Sequence, residues 1–270
     1  MALESPGQLT KLALKEGVTS GRNGLGSIYV WASGNGGGVD GCNYDGYTNS
    51  PYTISIGAID RDGKSPKYQE QCAPQMAVTA SSNSVEFIVT TDINNKCFSR
   101  HGGTSAAAPL AAGIFALMLH QRPDLTWRDI NWLIVATAVQ VQPNDSGWLI
   151  NAAGYHQHNM FGFGKLDSWA LVNKAKTWPN VHPEQLVVST GTIGFSEPKP
   201  IPYQRDLKVA TSLQQDTLNN LTVLEHVAIT VKITHQCRGD LSFKLTGPSG
   251  SVSDFAKPRT NDKVLCRLFY

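Results

Sequence analysis

A hydroxyl set between a glycine pair and an apolar helix is the first chemically pointed feature of this chain. It is Ser105, in HGGTSAAAPLAAGIFALML, residues 101–119. The run from Leu110 to Leu119 reads as a buried helix, and a Ser or Thr just ahead of a helix satisfies its orphan N–H groups. Thr104 and Ser105 therefore suit capping. The position also suits a nucleophile, because a helix N-terminus turns N–H donors and positive potential toward any oxyanion formed beside it. A second stretch, WASGNGGGVDGCNYDGYTNS (31–50), sets Asn35 among glycines after an apolar run. Its amide can reach substrate backbone there, or the residue can simply hold a left-handed turn. Asp45 in the same stretch reads from its residues as an Asp-Gly turn. Asp40 and Glu70 read as solvated loop carboxylates.

The elements that would position these groups alternate in type. SPGQLTKLALKEGVTSGR predicts a helix with Ser5 as N-cap, Pro6 at its first position, and Leu9, Leu12 and Ala13 on one face. GSIYVWAS and YTISIGAI are short, nearly continuous apolar runs, the pattern of strands buried on both faces of a parallel sheet. FIVTT and, more weakly, MAVTA read as further strands. LTWRDINWLIVATAV offers Thr126 as a cap and puts Ile130, Leu133 and Ile134 on one helical face. FGFGKLDSWALVNKAK is a glycine loop leading into a last helix. Strands alternating with helices give an α/β layer fold. Beyond about residue 180, prolines 179, 183, 198 and 200 mark a linker, and HVAITVKITH and DLSFKLTGPSG describe a small all-β module.

With 270 residues, 41% of them apolar and 16% charged, the chain is globular rather than disordered. A net charge of +2 with no basic stripe argues against nucleic acid as a partner. No run approaches the ~20 apolar residues of a membrane span. The first residues lack a signal-peptide core. The five cysteines and the sequons at Asn144 and Asn220 nevertheless suit secretion.

Five segments together resemble the kexin-like proprotein convertases of the subtilisin superfamily: SIYVWASGNGG, CNYDGYTNS, HGGTSAAAPLAAG, LTWRDI and FGFGKLD. A lipase elbow, Gly-x-Ser-x-Gly, is not supplied by GTSAA. The resemblance implies a partial subtilisin-like parallel sheet with flanking helices over residues 1–178. A partial all-β P domain, a jelly-roll-like sandwich, would follow over 179–270. It implies a calcium-dependent serine endopeptidase that cleaves proproteins after paired Arg/Lys, with Ser105 as nucleophile and Asn35 as oxyanion donor. Asp45 would receive the basic P1 side chain and Tyr47 would line a neighbouring subsite. Asp40 and Glu70 would supply part of a calcium site, flanked by a Cys42–Cys72 disulfide. Basic proprotein segments would be the partners, and the Golgi and secretory pathway the location.

The same resemblance places the family's catalytic Asp and His, and the partner of Cys97, upstream of residue 1. The β module is expected to stop short of a whole P domain, leaving Cys237 and Cys266 without family partners. His101, His156, His158, His182, His226 and His235 stand in no triad context, and Asp145 of NDSGW is discounted. The chain alone is therefore expected to be inactive, and the alternative function is a non-catalytic binding or regulatory fragment of a convertase.

Overall fold

The computed structural model describes residues 5–181, 199–201, 205–211 and 224–259, and the backbone of 266–269. Two compact units divide the chain, one formed by 1–181 with 230–270 and the other by 182–229. The described parts of the second unit contain no helix or strand.

Three parallel strands form the central sheet, in the order β1 (Tyr29–Ala32), β2 (Thr53–Ile59), β3 (Gln75–Ala80). Every residue of β2 is buried, which explains its near-continuous apolar sequence. Alternation then sorts its two faces. Ile54, Ile56 and Ala58 face the helices α2 (Thr104–Gln121), α3 (Trp127–Thr137) and α4 (Ser168–Lys176) in the main core. On the other face a Cβ at Gly57 would run into the amides of Gln69 and Gln75, so the glycine makes room for two buried glutamines. Ile59 joins Val78 and Phe161 in a second small cluster. Ala106, Ala107, Ala108 and Ala111 line the buried side of α2 and let it lie close to the sheet.

Each crossover in this sheet is a loop. Residues 33–52 carry Asn35, Asp40, Cys42, Asp45 and Tyr47 from β1 to β2, and 60–74 carry Glu70 and Cys72 from β2 to β3. The first begins at the carboxyl end of β1, the edge where open α/β sheets place ligands.

Several expectations are revised. The first helix, α1 (Gln8–Ser20), has Gly7 as N-cap, not Ser5. Its buried residues are Leu14 and Val18, whereas Leu9 is 83% exposed and Leu12 55% exposed. Apolar periodicity located the helix but not the side that finds a neighbour. FIVTT becomes β4 (Ile88–Asp92), which leaves the parallel sheet for an antiparallel hairpin with β5 (Lys96–His101). The helix after Ser105 is buried on one side only: Leu110 and Leu117 are exposed because the three strands cover a single face of it. Between it and α4, β6 (Leu149–Ile150) pairs with β7 (His156–Gln157).

In the C-terminal region β8 (Lys232–His235) pairs with β11 (Cys266–Phe269), and β9 (Phe243–Thr246) with β10 (Val252–Ala256), both antiparallel. The alternating run at 227–233 becomes strand only from Lys232. Of the linker prolines, 183 and 198 lie outside the described residues, as does the sequon at Asn220.

Candidate active site

Ser105 is the second residue of α2 and does not cap it. The N-cap is Gly103, at φ 77, with no side-chain cap bond. A side chain there would be strained and would bring its Cβ within 3.1 Å of the Asn35 amide nitrogen. The Ser105 side chain is exposed, and its hydroxyl makes no hydrogen bond among the described residues. Its backbone N–H belongs to the first turn, whose donors have no intrahelical acceptor. Pro109 lies inside the helix four residues on, so the Ser105 carbonyl receives no N–H from it.

Asn35 is held beside this turn by its oxygen. The Thr104 N–H donates to Asn35 Oδ1 at 2.8 Å and the Thr104 hydroxyl donates to the same oxygen at 3.0 Å. That hydroxyl in turn accepts the Gly34 N–H at 3.1 Å. A backbone N–H can only donate, so the amide must present its oxygen to Thr104 and its NH2 away from it. The resulting arrangement puts two donors, Asn35 Nδ2 and the Ser105 N–H, on the same helix start as the hydroxyl.

Sequence reasoning saw Thr104 as a possible cap and missed its role as the clamp on Asn35, a contact across 69 residues of chain. It also missed the serines beneath. Ser81 Oγ donates to the Gly103 carbonyl at 2.6 Å, and Ser82 Oγ accepts the Gly103 N–H at 3.2 Å. Thr79 Oγ1 donates to the Ala107 carbonyl at 2.7 Å. Their position at the end of β3, aimed at a Gly-Gly pair, carried no signal in the sequence.

The acidic residues converge from the two crossover loops. Asp45 Oδ1 accepts the Tyr47 N–H at 2.8 Å, an Asx turn. The Tyr47 ring stacks on Trp31 of β1, centroids 4.6 Å apart and planes within 5° of parallel. Glu70 is 7% exposed and accepts the Gly36 N–H at 2.7 Å. Burial, helped by the charges of Asp40 and Asp45, pushes its carboxyl up to about 7 against the pull of that N–H. Asp40 Oδ1 accepts the Gly41 N–H at 2.9 Å. Gly36 stands between the two proposed ligands: a Cβ on it would collide with Asp40 and lie 3.0 Å from Glu70 Oε1. Among the described residues no group of three His, Cys, Asp or Glu side chains forms a ready metal cluster. The Cys42–Cys72 disulfide is present, its Cα atoms 5.3 Å apart, and it joins the loop of Asp40 and Asp45 to that of Glu70. Cys97 is exposed and free.

The loop around His158 backs the glutamine-lined face of β2. His158 Nδ1 accepts the Met160 N–H at 2.8 Å, so the ring's proton sits on Nε2, which donates to Asp145 Oδ1 at 3.2 Å. The Met160 carbonyl takes donors from Gln69 and Gln75. Among the described residues no histidine is hydrogen-bonded to Ser105 Oγ.

A parallel sheet with a long helix opening on Gly-Thr-Ser and an asparagine clamped beside it defines a subtilisin-like α/β protein. The crystal structure of a serine protease of Aeromonas sobria shares this fold, with a TM-score of 0.71 at 17% identity over 96% of this chain and 55% of that one. The family model described as Subtilase family matches residues 3–164, and the chain belongs to that family. The Proprotein convertase P-domain model matches residues 224–265. Among similar proteins, proprotein convertase subtilisin/kexin type 7 of Mus musculus is 47% identical over 96% of this chain and 35% of its own length. Kexin of Saccharomyces cerevisiae is 44% identical over 96% and 32%, and Furin-1 of Xenopus laevis 43% over 96% and 33%. The chain thus spans about a third of the length of these relatives.

Proposed function

We propose that this chain carries the nucleophile portion of a calcium-dependent, kexin-type serine endopeptidase that cleaves proproteins after paired basic residues. The observation that carries the reading is the clamp on Asn35, whose oxygen is held by both donors of Thr104 next to Ser105. In this reading Ser105 Oγ attacks the scissile carbonyl carbon and the carbonyl electron pair moves to oxygen. Asn35 Nδ2 and the Ser105 N–H then stabilise that oxyanion. Asp45 receives the P1 Arg or Lys, and Tyr47, stacked on Trp31, lines the next subsite. Residues 1–178 form the catalytic portion and 179–270 belong to the P domain.

Asp40 and Glu70 fit a calcium ion. A buried carboxyl raised to about 7, with two further acids acting on it, gains from a divalent cation close by. Calcium prefers six to eight oxygen ligands, so these two supply only part of a shell. When bound, it would neutralise the carboxylates and fix the loop behind Asp45. The disulfide suits an oxidising compartment, in keeping with passage through the secretory pathway.

The Ser105 proton needs an imidazole acceptor, and this reading places that group outside the described residues. A second reading follows from the exposed Ser105 hydroxyl, which has no hydrogen-bond partner among the described residues: the chain by itself is a non-catalytic binder of basic peptides through Asp45. Assay of the 270-residue chain on a fluorogenic Arg-Arg peptide with calcium is expected to give turnover no higher than that of Ser105→Ala. Titration with a peptide ending in Arg-Arg should show Asp45→Asn weakening binding about tenfold or more, the worth of a charge-assisted hydrogen bond. Robust Ser105-dependent turnover would overturn the placement of the base, and unchanged binding by Asp45→Asn would overturn the P1 assignment.

A further inference from the structure

The tail of β10 grips both acidic loops at once. Arg259 is 4% exposed, and its guanidinium carbon lies 3.5 Å from the centroid of the Tyr44 ring. Its backbone is tied down separately, the N–H donating to the Gly239 carbonyl at 2.7 Å. Two residues earlier, Lys257 Nζ donates to Gln71 Oε1 at 2.8 Å. Asn159 Nδ2 donates to the Asp254 carbonyl at 2.8 Å, while the Asn159 carbonyl receives the Cys72 N–H at 3.0 Å. The three points of contact are thus Tyr44, between Cys42 and Asp45; Gln71, between Glu70 and Cys72; and Asn159, bonded to Cys72 itself. Because the disulfide makes the two loops one body, a restraint at Tyr44 or Gln71 restrains both.

We infer that Arg259 is a positioning residue for the basic-residue pocket: seated on the Tyr44 ring, it fixes the turn from Asp45 to Tyr47. The inference rests on the proposed role of Asp45. A guanidinium over a buried ring is favoured by the ring's electron-rich face and by Arg's weak hydration. The contact spans the two family matches, since Tyr44 lies within residues 3–164 and Arg259 within 224–265. A strand module with no group in the reaction would in this way set the aim of the side chain that selects substrate.

Two measurements on the full chain test this. Hydrogen exchange is expected to quicken about tenfold at residues 42–47 in Arg259→Ala, with α3 unchanged and Arg259→Lys restoring much of the protection. Titration with a peptide ending in Arg-Arg is expected to show Arg259→Ala weakening binding on the order of tenfold. The double variant with Asp45→Asn should bind no more weakly than Asp45→Asn alone, because one substitution acts through the other. A lowered unfolding temperature with exchange at 42–47 and peptide affinity both unchanged would overturn the inference. Equally faster exchange in α3 would overturn it too, since that is general loosening. Unaltered binding by Asp45→Asn, together with faster exchange at 42–47 in Arg259→Ala, would support the loop contact and overturn only the pocket assignment.

Discussion

At Asn35 and at His158, neighbouring groups settle the orientation of a side chain that has two ways to face. Thr104 does so for Asn35 by offering two donors to one oxygen. His158 is itself oriented, accepting from Met160 through one nitrogen and donating to Asp145 through the other. Burial lowers the His158 pKa from 6.5, and the Asp145 carboxylate only partly offsets this; Lys257 adds to the lowering. The folded chain therefore binds a proton at this ring less readily than the unfolded chain. Its contribution to stability is full above about pH 6.5 and is lost as pH falls below that value. His158→Asn keeps an acceptor for the Met160 N–H without a titrating group. Its urea midpoint should drop less between pH 7 and pH 5 than that of the unsubstituted chain.

Among the elements, α3 shows how a local signal can be legible while its reach is not. Thr126 reads as a cap, and the structure completes it into a capping box with Asp129, Thr126 Oγ1 accepting the Asp129 N–H at 3.0 Å. Asp129 is also fully buried. Its second oxygen accepts the Trp178 indole N–H at 3.1 Å and the Val181 N–H at 2.7 Å, pinning the segment that follows α4. Partners some fifty residues away leave no trace in local periodicity. Thr126→Ala should cost about 1 kcal/mol, the usual worth of a cap. Asp129→Ala leaves buried donors on both sides unsatisfied and should cost more, about 3 kcal/mol. Thermal and urea unfolding of the two variants would rank them. In α1 the same style of reading selected the wrong face, because Leu9 and Leu12 are apolar without a neighbour to cover them. At the site, Ser105 and Asn35 were readable as motifs, and the Cys42–Cys72 pairing came with the family resemblance. The Thr104 clamp, the serines under Gly103 and the Trp31–Tyr47 stack depend on side chains meeting across loops, which spacing does not encode.

At the scale of the whole molecule the sheet is small and unevenly covered. Val78 of β3 exchanges hydrogen bonds with the backbone at 164 and 166, whereas β1 is an edge strand that pairs, among the described residues, with β2 alone. Parallel sheets are ordinarily covered on both faces, and uncovered edges recruit other strands. Exposed Leu9 and Leu12 on α1, and Leu110 and Leu117 on α2, add apolar surface to the same unit. The isolated chain is therefore expected to bind a hydrophobic dye such as ANS and to self-associate on gel filtration. Leu110→Glu with Leu117→Glu should reduce both while changing stability by only about 0.5 kcal/mol, as for other exposed positions. Dye binding equal to that of the unsubstituted chain would refute this.

The proline inside α2 gives the serine's turn a mechanical character of its own. With no hydrogen to return to the Ser105 carbonyl, the first coil is hinged to the rest of the rod rather than welded into it. What steadies it comes sideways, from Thr104 against Asn35 and from the serines at the strand end. The aim of the hydroxyl is thus governed by the floor it stands on, and a disturbance at the far tip of the helix should scarcely reach it.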